Sequence, residues 1–274
     1  MKIYLLKFLT LALIICTGPI TIAATVDTVL TYSPSMRKEI KAVVIKPERY
    51  AKAGQLPVVY LLHGYSGNYA DWIKNAQSIR LYADQLNLMI VCPDGNYGSW
   101  YFDSPVDTTW KYETYIATEL VQWIDAHFKT IKNRSGRAIT GLSMGGHGAL
   151  LLAFRHQDVF GAAGSMSGGV DLCPFPLRWD LAKRLGDYAT NPERWERNSV
   201  INCTYLLTSN SLALIFDCGV EDFFYPANCK LHEKLLYNNI PHEFISRPGK
   251  HDFKYWSNAV AYQLLFMSKY FNKE

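Results

Sequence analysis

The pattern of hydrophobic and polar positions changes along the chain. Near its start, TVDTVLTYS (25–33) and KEIKAVVIKP (38–47) alternate apolar and polar residues with a period of two, which is typical of antiparallel strands. Later stretches are short, mostly apolar and end at Gly or Ser, as expected for strands covered on both faces. These stretches are PVVYLLHG, LMIVCPDG, RAITGLS, GAAGSMSG, LALIFDCG and HEFISRPG.

Amphipathic stretches with a helical period lie between or after these runs. They are YETYIATELVQWIDAHF, MGGHGALLLAFRHQ, NCKLHEKLLYNN and YWSNAVAYQLLFMSKYF. Strands that alternate with helices predict an α/β fold with a doubly wound, mostly parallel sheet, here preceded by an antiparallel N-terminal strand pair. Ligands of such sheets bind outside the carboxyl ends of the strands, so chemistry is expected where the apolar runs end.

The segment 169–211 interrupts this alternation. It is rich in Pro, Trp and Arg and is long for a connection between a strand and the next strand. Because structureless loops of this length are uncommon in compact domains, the segment is predicted to carry short helices and to lie near the active site. The remainder of 25–274 shows no repeat and no second domain boundary, so one domain is predicted.

The first 24 residues have the pattern of a secretory signal peptide. Two lysines precede the apolar run FLTLALIIC, which a Gly-Pro pair ends before the small residues TIAA. A membrane anchor is the alternative, but the run is shorter than the roughly 20 apolar residues of a spanning helix. A lipoprotein modified at Cys16 is disfavoured by Ile15 before it. The protein is therefore expected to be secreted or periplasmic.

Charge and cysteine content narrow the possible partners. The 28 basic and 24 acidic residues give a formal charge of +4, with no basic run long enough to follow a phosphate backbone, so nucleic acid is not an expected partner.

Five cysteines follow the leader, and an odd number cannot all pair within one chain. Export permits Cys173–Cys203 or Cys218–Cys229, and no cysteine spacing indicates a zinc site.

The pentapeptide GLSMG, centred on Ser143, is the strongest local signal for chemistry. It follows the strand-like RAIT and opens a helical stretch, which is the setting of a nucleophilic serine at a sharp turn. Gly141 and Gly145 are expected there because a Cβ at either position would crowd the turn. The N-terminus of the following helix directs free N–H groups and its positive dipole end at the reacting centre.

A nucleophilic serine needs a histidine to accept its proton. Of seven histidines, three lie inside amphipathic stretches and are expected at surfaces or boundaries: His127, His156 and His232. Three others are expected to serve packing or turns: His63 at a strand end, His147 on the helix after the serine, and His242 at a strand start. His251 is the favoured base, since it follows the last strand in a loop and fits the chain order Ser, acid, His.

The acid that orients the histidine is sought in LIFDCGVEDFFY. Asp217 lies inside the strand and is expected to be structural. Asp222 in the following loop is the favoured acid and Glu221 the lesser candidate. Asp252, which adjoins the histidine, is expected to point away from it.

A tetrahedral oxyanion needs two fixed N–H groups. The glycine-bracketed turn of LLHGYSG offers the amide of Tyr65, and Met144 offers the amide that follows the serine. This turn lacks the lysine and the spacing of a phosphate-binding P-loop. No metal or other cofactor is expected in the reaction.

Several of these motifs occur together and in order across nearly all of 25–274: LLHGYSGNYADW, SWYFD, RAITGLSMGGHGAL, FGAAGSMSG, FDCGVEDFF and GKHDFKYW. In this the chain resembles the esterase family of α/β-hydrolases, which includes S-formylglutathione hydrolases, tributyrin esterases, feruloyl esterases and mycolyltransferases. The resemblance implies a triad of Ser143, Asp222 and His251. It favours Asp222 because the family's acid follows a glycine by three residues, here Gly219. It also implies that the Tyr65 and Met144 amides bind the oxyanion.

The expected function is that of an exported serine carboxylesterase working through an acyl-enzyme on Ser143. A leader argues against cytoplasmic thioester detoxification, so the expected substrate is a short-chain acyl ester or a feruloyl or acetyl ester of plant polysaccharide. One alternative is an acyltransferase to a sugar hydroxyl. The other is a non-catalytic exported binding protein on a hydrolase scaffold. Family members vary the segment 169–211, so its Arg178, Trp179 and Trp195 receive no role from the resemblance.

Overall fold

The computed structural model describes residues 24–273, which form one eight-stranded sheet with helices on both faces. The predicted leader, apart from Ala24, lies outside the described residues. The strands are β1 Thr25–Ser33, β2 Lys38–Lys46, β3 Val58–Leu62, β4 Met89–Pro93, β5 Arg137–Gly141, β6 Ala162–Met166, β7 Ala213–Gly219 and β8 Glu243–Arg247. The helices are α1 Asp71–Asn75, α2 Ile79–Leu86, α3 Tyr112–Thr114, α4 Leu120–His127, α5 Met144–Arg155, α6 Leu181–Leu185, α7 Pro192–Asn198, α8 Tyr225–Tyr237 and α9 Phe253–Phe271.

The strand order is β1-β2-β4-β3-β5-β6-β7-β8. Strands β3 to β8 are parallel to one another, whereas β1 pairs antiparallel with β2, and β2 pairs antiparallel with β4. This confirms the predicted doubly wound sheet with an antiparallel N-terminal pair. The carboxyl ends of β3 to β8 share one edge, where the amino end of β2 also lies.

The core has two layers, one on each face of the sheet. In β3, Val58, Tyr60 and Leu62 pack into the layer that includes α4, α5 and α8, and Val59 and Leu61 pack into the layer of α1, α2 and α9. All five side chains are buried, which explains why the strand reads as a continuous apolar run rather than an alternating one. The fold thus uses the sequence period of two to fill both layers.

The segment 169–211 contains short helices, as expected from its length. Helices α6 and α7 are followed by the 3₁₀ turns Val200–Asn202 and Thr204–Leu206. Trp195 of α7 is fully buried and its indole N–H donates to the carbonyl of Gly186 at 3.0 Å. This tryptophan therefore stabilises the segment itself.

Among the described residues, no helix is long and apolar enough to cross a membrane. Neither candidate cysteine pair forms a disulfide, and the five described cysteines are free thiols. Cys173 Sγ instead lies 3.7 Å from Ser199 Oγ, and Cys203 Sγ donates to the carbonyl of Arg197 at 3.2 Å.

Candidate active site

Ser143 occupies the turn between β5 and α5. Its backbone has φ 54° and ψ −116°, a conformation that residues other than glycine rarely adopt. Its N–H donates to the carbonyl of Met166 at 2.9 Å, and its carbonyl accepts from the N–H of His147 at 3.0 Å. These bonds tie the strained residue to β6 and to the first turn of α5, so the serine is held at a fixed point of the sheet edge.

Two glycines allow this turn to pack backbone against backbone. A Cβ at Gly141 would lie 2.6 Å from the carbonyl carbon of Gly145. A Cβ at Gly145 would lie 2.6 Å from the carbonyl oxygens of both Leu62 and His63. Because these contacts are with backbone atoms, a side chain at either position would push the start of α5 away from β3.

The structure brings His251 and Asp222 to Ser143. His251 lies in the loop between β8 and α9, and its Nε2 lies 2.9 Å from Ser143 Oγ. Asp222 lies in the loop after β7, and its Oδ2 lies 2.8 Å from His251 Nδ1. The three side chains from three strand ends form one continuous chain of hydrogen bonds.

The chemistry of Asp222 determines the tautomer of His251. The Asp222 side chain is fully buried, and its other oxygen, Oδ1, accepts from the N–H of Phe224 at 2.9 Å. An ionised carboxylate only accepts hydrogen bonds, so Nδ1 of His251 must donate to it. Nε2 of the neutral ring is then free to accept the proton of the Ser143 hydroxyl.

Aromatic rings hold the imidazole from several sides. The ring centroid of His251 lies 4.4 Å from that of Phe223, 4.9 Å from that of Trp256 and 5.5 Å from that of Phe224. Phe223 and Phe224 directly follow the acid, and Trp256 lies in the first turn of α9. In the sequence, these contacts were indicated only by the short distance of the three aromatic residues from Asp222 or His251 along the chain.

The turn after β3 lies beside Ser143. A Cβ built on Gly64 would lie 3.4 Å from Ser143 Cβ, so the backbone of this turn passes close to the serine. Within the described residues, the backbone N–H groups of Tyr65 and Met144 donate to no protein atom. Two free amides at the turn and at the start of α5 therefore remain available to an anionic oxygen.

His63 fixes the geometry of that turn, as expected of a turn-stabilising residue. The ring is buried, with Nδ1 2.8 Å from the carbonyl of Gly64 and Nε2 accepting from the N–H of Gly95 at 2.7 Å. Burial lowers the pKa of His63 below its usual range. A neutral ring that donates at Nδ1 and accepts at Nε2 satisfies both bonds.

The remaining candidate side chains lie away from His251 or serve other contacts. His147 is buried under Trp100, with Nδ1 3.0 Å from the carbonyl of Gly169, and burial lowers its pKa to about 3. Asp252 caps α9 by accepting from the N–H of Tyr255, and Glu221 lies 3.7 Å from Lys250. His147 is thus a buried neutral residue, and neither carboxylate faces the imidazole.

Asp217 is structural, as expected, and its partners are side chains of α9 and β8. Its Oδ2 accepts from the side-chain amide of Gln263 at 3.0 Å and lies 3.6 Å from the guanidinium of Arg247. Burial raises the pKa of Asp217 to about 6, against the lowering effects of Gln263 and Arg247. Through these two interactions the carboxyl group of Asp217 links β7 to α9 and to β8.

Ser143 and His251 open into a cleft of about 440 Å³, which we call the serine cleft. Its walls are mainly aromatic: Tyr65, Trp179, Phe223, Phe253 and Trp256. Trp179 comes from the segment 169–211, and its ring stacks on Phe223 with centroids 5.7 Å apart and an angle of 20°. No pattern in the sequence indicated the role of Trp179, because only the folded segment brings its ring to the serine.

Two hydrogen bonds hold Trp179 at this position. The residue has φ 51°, which is unfavourable for a bulky side chain. Its carbonyl accepts from the indole N–H of Trp100 at 3.0 Å, and the next residue, Asp180, accepts from the Tyr65 hydroxyl at 3.0 Å. The segment is therefore attached to the turn that carries one of the two free amides.

The described residues contain no group of three or more His, Cys, Asp or Glu placed to hold a metal ion. The reactive groups are a serine, a histidine and a buried carboxylate at the carboxyl edge of a doubly wound sheet. This arrangement defines a serine hydrolase of the α/β-hydrolase fold.

Comparison with known proteins gives the family. The esterase family model, described as "Putative esterase", matches residues 33–267, and the chain belongs to this family. The chain is 30% identical over 242 residues to Esterase Rv1288 of Mycobacterium tuberculosis, covering 77% of this chain and 52% of that protein. It therefore spans about half the length of that relative.

Two further similarities cover more of the matched protein. The chain is 30% identical over 239 residues to the diacylglycerol acyltransferase/mycolyltransferase Ag85B of Mycobacterium leprae, covering 73% of this chain and 72% of that one. The solved structure of a ferulic acid esterase has 28% identity and a TM-score of 0.79, covering 91% of this chain and 99% of that chain. The matched family model and these relatives thus relate the chain to esterases and to an acyltransferase.

Proposed function

We propose that this protein is an exported serine carboxylesterase that forms an acyl-enzyme on Ser143. The observation that carries the proposal is the hydrogen-bonded chain from Ser143 through His251 to Asp222 at the base of the serine cleft. Export rests on the leader-like pattern of residues 1–24.

The geometry supports a two-step reaction. Nε2 of His251 removes the hydroxyl proton as Ser143 Oγ attacks the ester carbonyl, and Asp222 stabilises the imidazolium that forms. The amides of Tyr65 and Met144 bind the oxyanion. The tetrahedral intermediate expels the alcohol, which takes the proton from His251. Water then attacks the acyl-enzyme with His251 again as base, releasing the acid and free Ser143.

The aromatic walls of the serine cleft favour a substrate whose acyl group is short or aromatic. An aromatic acyl chain can lie along the stacked rings of Trp179 and Phe223, and a stacked aromatic pair contributes about 0.5–1.5 kcal/mol beyond the area it buries. The similar ferulic acid esterase structure supports a feruloyl ester. We therefore propose feruloyl or acetyl esters of plant polysaccharide as substrates, ahead of simple short-chain esters.

Ser143→Ala tests the nucleophile. The variant is expected to lose at least about 1,000-fold in kcat on p-nitrophenyl acetate, because no other described hydroxyl is paired with His251. The melting temperature should change little, since one oxygen atom is removed from the wall of an open cleft. A variant that retains wild-type turnover would show that another residue is the nucleophile.

A panel of acetyl, butyryl, octanoyl and feruloyl esters tests the substrate. The highest kcat/KM is expected for acetyl or feruloyl esters, with octanoyl esters well below both. A preference for octanoyl esters would contradict the proposed substrate class while leaving the serine mechanism intact.

Transfer of the acyl group to a sugar hydroxyl is the second candidate, favoured by the similarity to a mycolyltransferase. An acceptor competes with water for the same acyl-enzyme, so the partition of product between acid and sugar ester distinguishes them. Added sugar that leaves the yield of free acid unchanged would argue against transfer.

A further inference from the structure

A second cleft of about 440 Å³ opens at the same edge of the sheet. We call it the β2 cleft, because its floor is the amino end of β2, residues 38–41. Its opposite wall is the turn after β4, which carries Asp94, Asn96 and Tyr97. The N–H of Asp94 donates to the carbonyl of Lys41 at 2.9 Å, so the two walls are fixed to each other.

Some polar atoms of the β2 cleft hold the fold: Lys38 Nζ donates to the hydroxyl of Tyr112 at 3.0 Å, and Asn96 Oδ1 accepts from the N–H of Tyr97 at 2.6 Å. Other polar atoms there have no partner among the described residues. Oδ1 of Asp94 accepts from the N–H of Asn96, but within residues 24–273 its Oδ2 has no hydrogen-bond partner. The side-chain N–H₂ of Asn96 is likewise unpaired there. Lys41 Nζ lies over the ring of Tyr69 at 5.6 Å and makes no ion pair with a described residue. The cleft therefore presents donors and an acceptor together.

The charge and the aromatic surface of the β2 cleft indicate a neutral polyhydroxyl ligand. Two cations, Lys38 and Lys41, are balanced by two anions, Glu39 and Asp94, so the cleft has no net attraction for an anionic ligand. The ring of Tyr97 is 56% exposed at the rim. A sugar has an apolar ring face that packs on an aromatic ring, and hydroxyl groups that both donate and accept.

The β2 cleft adjoins the serine cleft. Gly67 lines both of them. The N–H of Ser66 donates to the carbonyl of Tyr97 at 2.7 Å, and the rings of Tyr65 and Tyr97 meet edge to face with centroids 4.9 Å apart. The residues Tyr65, Ser66 and Tyr97 form the boundary between the two clefts, so one extended molecule can occupy both.

We infer that the β2 cleft is a saccharide subsite, which binds sugar units of the substrate that lie beyond the ester held at Ser143. The inference rests on the proposed function for the presence of an ester, but binding of the sugar itself does not depend on catalysis. It assigns the aromatic serine cleft to the ester and the polar β2 cleft to the carbohydrate chain. The substrate class is therefore a polymer-linked ester rather than a small free ester.

Lys41→Ala and Asn96→Gly are the test variants. Lys41 is exposed, and glycine tolerates the positive φ of 58° at position 96, so both variants are expected to fold. Tyr97 is left unchanged because its ring packs on Tyr65. Lys230→Ala, at an exposed position on α8 that lines neither cleft, is the matched control.

Two substrates with the same acetyl group are compared: acetylated xylo-oligosaccharides and p-nitrophenyl acetate. The ratio of their kcat/KM values is expected to fall about tenfold in each test variant through a higher KM for the oligosaccharide. Lys230→Ala should leave the ratio at the wild-type value. An unchanged ratio in both test variants would overturn the subsite.

Calorimetric titration with unesterified xylohexaose separates the subsite from the esterase activity. Saturable binding to the wild-type chain that weakens about tenfold in both test variants supports the subsite, even if no ester is hydrolysed. Absence of saturable binding to the wild-type chain overturns it, even if p-nitrophenyl acetate is hydrolysed.

Discussion

Asp217 and Asp222 lie five residues apart and are both buried, yet their carboxyl groups differ in hydrogen bonding. Asp222 is buried but accepts two hydrogen bonds, from the N–H of Phe224 and from His251. Asp217 has one oxygen, Oδ1, with no hydrogen-bond partner among residues 24–273, and burial raises its pKa to about 6. The difference arises because Asp222 lies in a loop at the sheet edge, where backbone donors and the imidazole reach it.

Asp217 is predicted to make stability depend on pH. Its pKa in the folded protein exceeds its ordinary value of 3.8, so the folded state binds more protons than the unfolded state between about pH 4 and 6. The free energy of unfolding therefore falls as pH rises through this window, by up to about 3 kcal/mol, and the loss persists above pH 6. Asp217→Asn should flatten this contribution, as measured by urea unfolding from pH 4 to 7.5.

The dependence of the free energy of unfolding on pH is the quantity to compare, because Asp217→Asn also leaves Arg247 without its neighbouring carboxylate.

Asp222→Asn serves as the contrast in activity: it should lower kcat by about 1,000-fold or more by stabilising the wrong tautomer of His251. Asp217→Asn should retain kcat within a few fold. Equal losses of kcat in the two variants would contradict the assignment of Asp222 as the acid.

The turn from β5 into α5 shows how secondary-structure elements determine the site. The start of α5 touches the end of β3 through backbone atoms, with glycine at the point of contact. This contact places the amide of Met144 and the turn of Tyr65 on either side of Ser143. The GLSMG motif predicted the turn correctly, because its glycines at 141 and 145 are the residues that allow this close backbone packing.

Gly145→Ala is predicted to disturb both stability and activity. The added Cβ would lie 2.6 Å from two carbonyl oxygens of β3 and its following turn, so α5 must shift. Such overpacking costs about 1–3 kcal/mol in the free energy of unfolding, and the shift should lower kcat by moving the Met144 amide. Thermal unfolding and p-nitrophenyl acetate hydrolysis measure the two effects.

Gly54→Ala is the matched control, because nothing lies within 4 Å of the Cβ it would add. It should retain the melting temperature and the activity of the wild-type chain. If Gly145→Ala behaves like this control, the close packing of α5 against β3 is not required for the site.

At the scale of the whole molecule, the segment 169–211 joins distant parts of the chain. Trp179 contacts Phe223 from the loop after β7 and Trp100 from the loop after β4, and Asp180 binds the turn after β3. One residue of the segment thus forms a wall of the serine cleft. Its identity is expected to set acyl preference without affecting the chemistry of the serine.

Trp179→Ala is predicted to change specificity. The value of kcat/KM for a feruloyl ester should fall at least about tenfold more than that for an acetyl ester, because only the aromatic acyl group stacks on the indole. Tyr205→Ala, which removes a ring that is 76% exposed in the same segment, should leave the ratio unchanged. Equal losses for both esters in Trp179→Ala would assign the indole a structural role only.

The sequence alone determined the eight strands in chain order, the helices outside the β3–β4 connection, the double layer of the core and the serine turn, because these depend on local periodicity and on glycines at fixed offsets. Helices α1 and α2 between β3 and β4 were not predicted. It favoured His251 as the base and Asp222 as the acid, with Glu221 as the lesser candidate for the acid. Tertiary structure decided the distances between them, which depend on β7 pairing with β6 and β8 pairing with β7 in the sheet. It alone brought Trp179 to the serine and placed Lys41 and Asn96 in one cleft, since no local pattern relates these residues to one another.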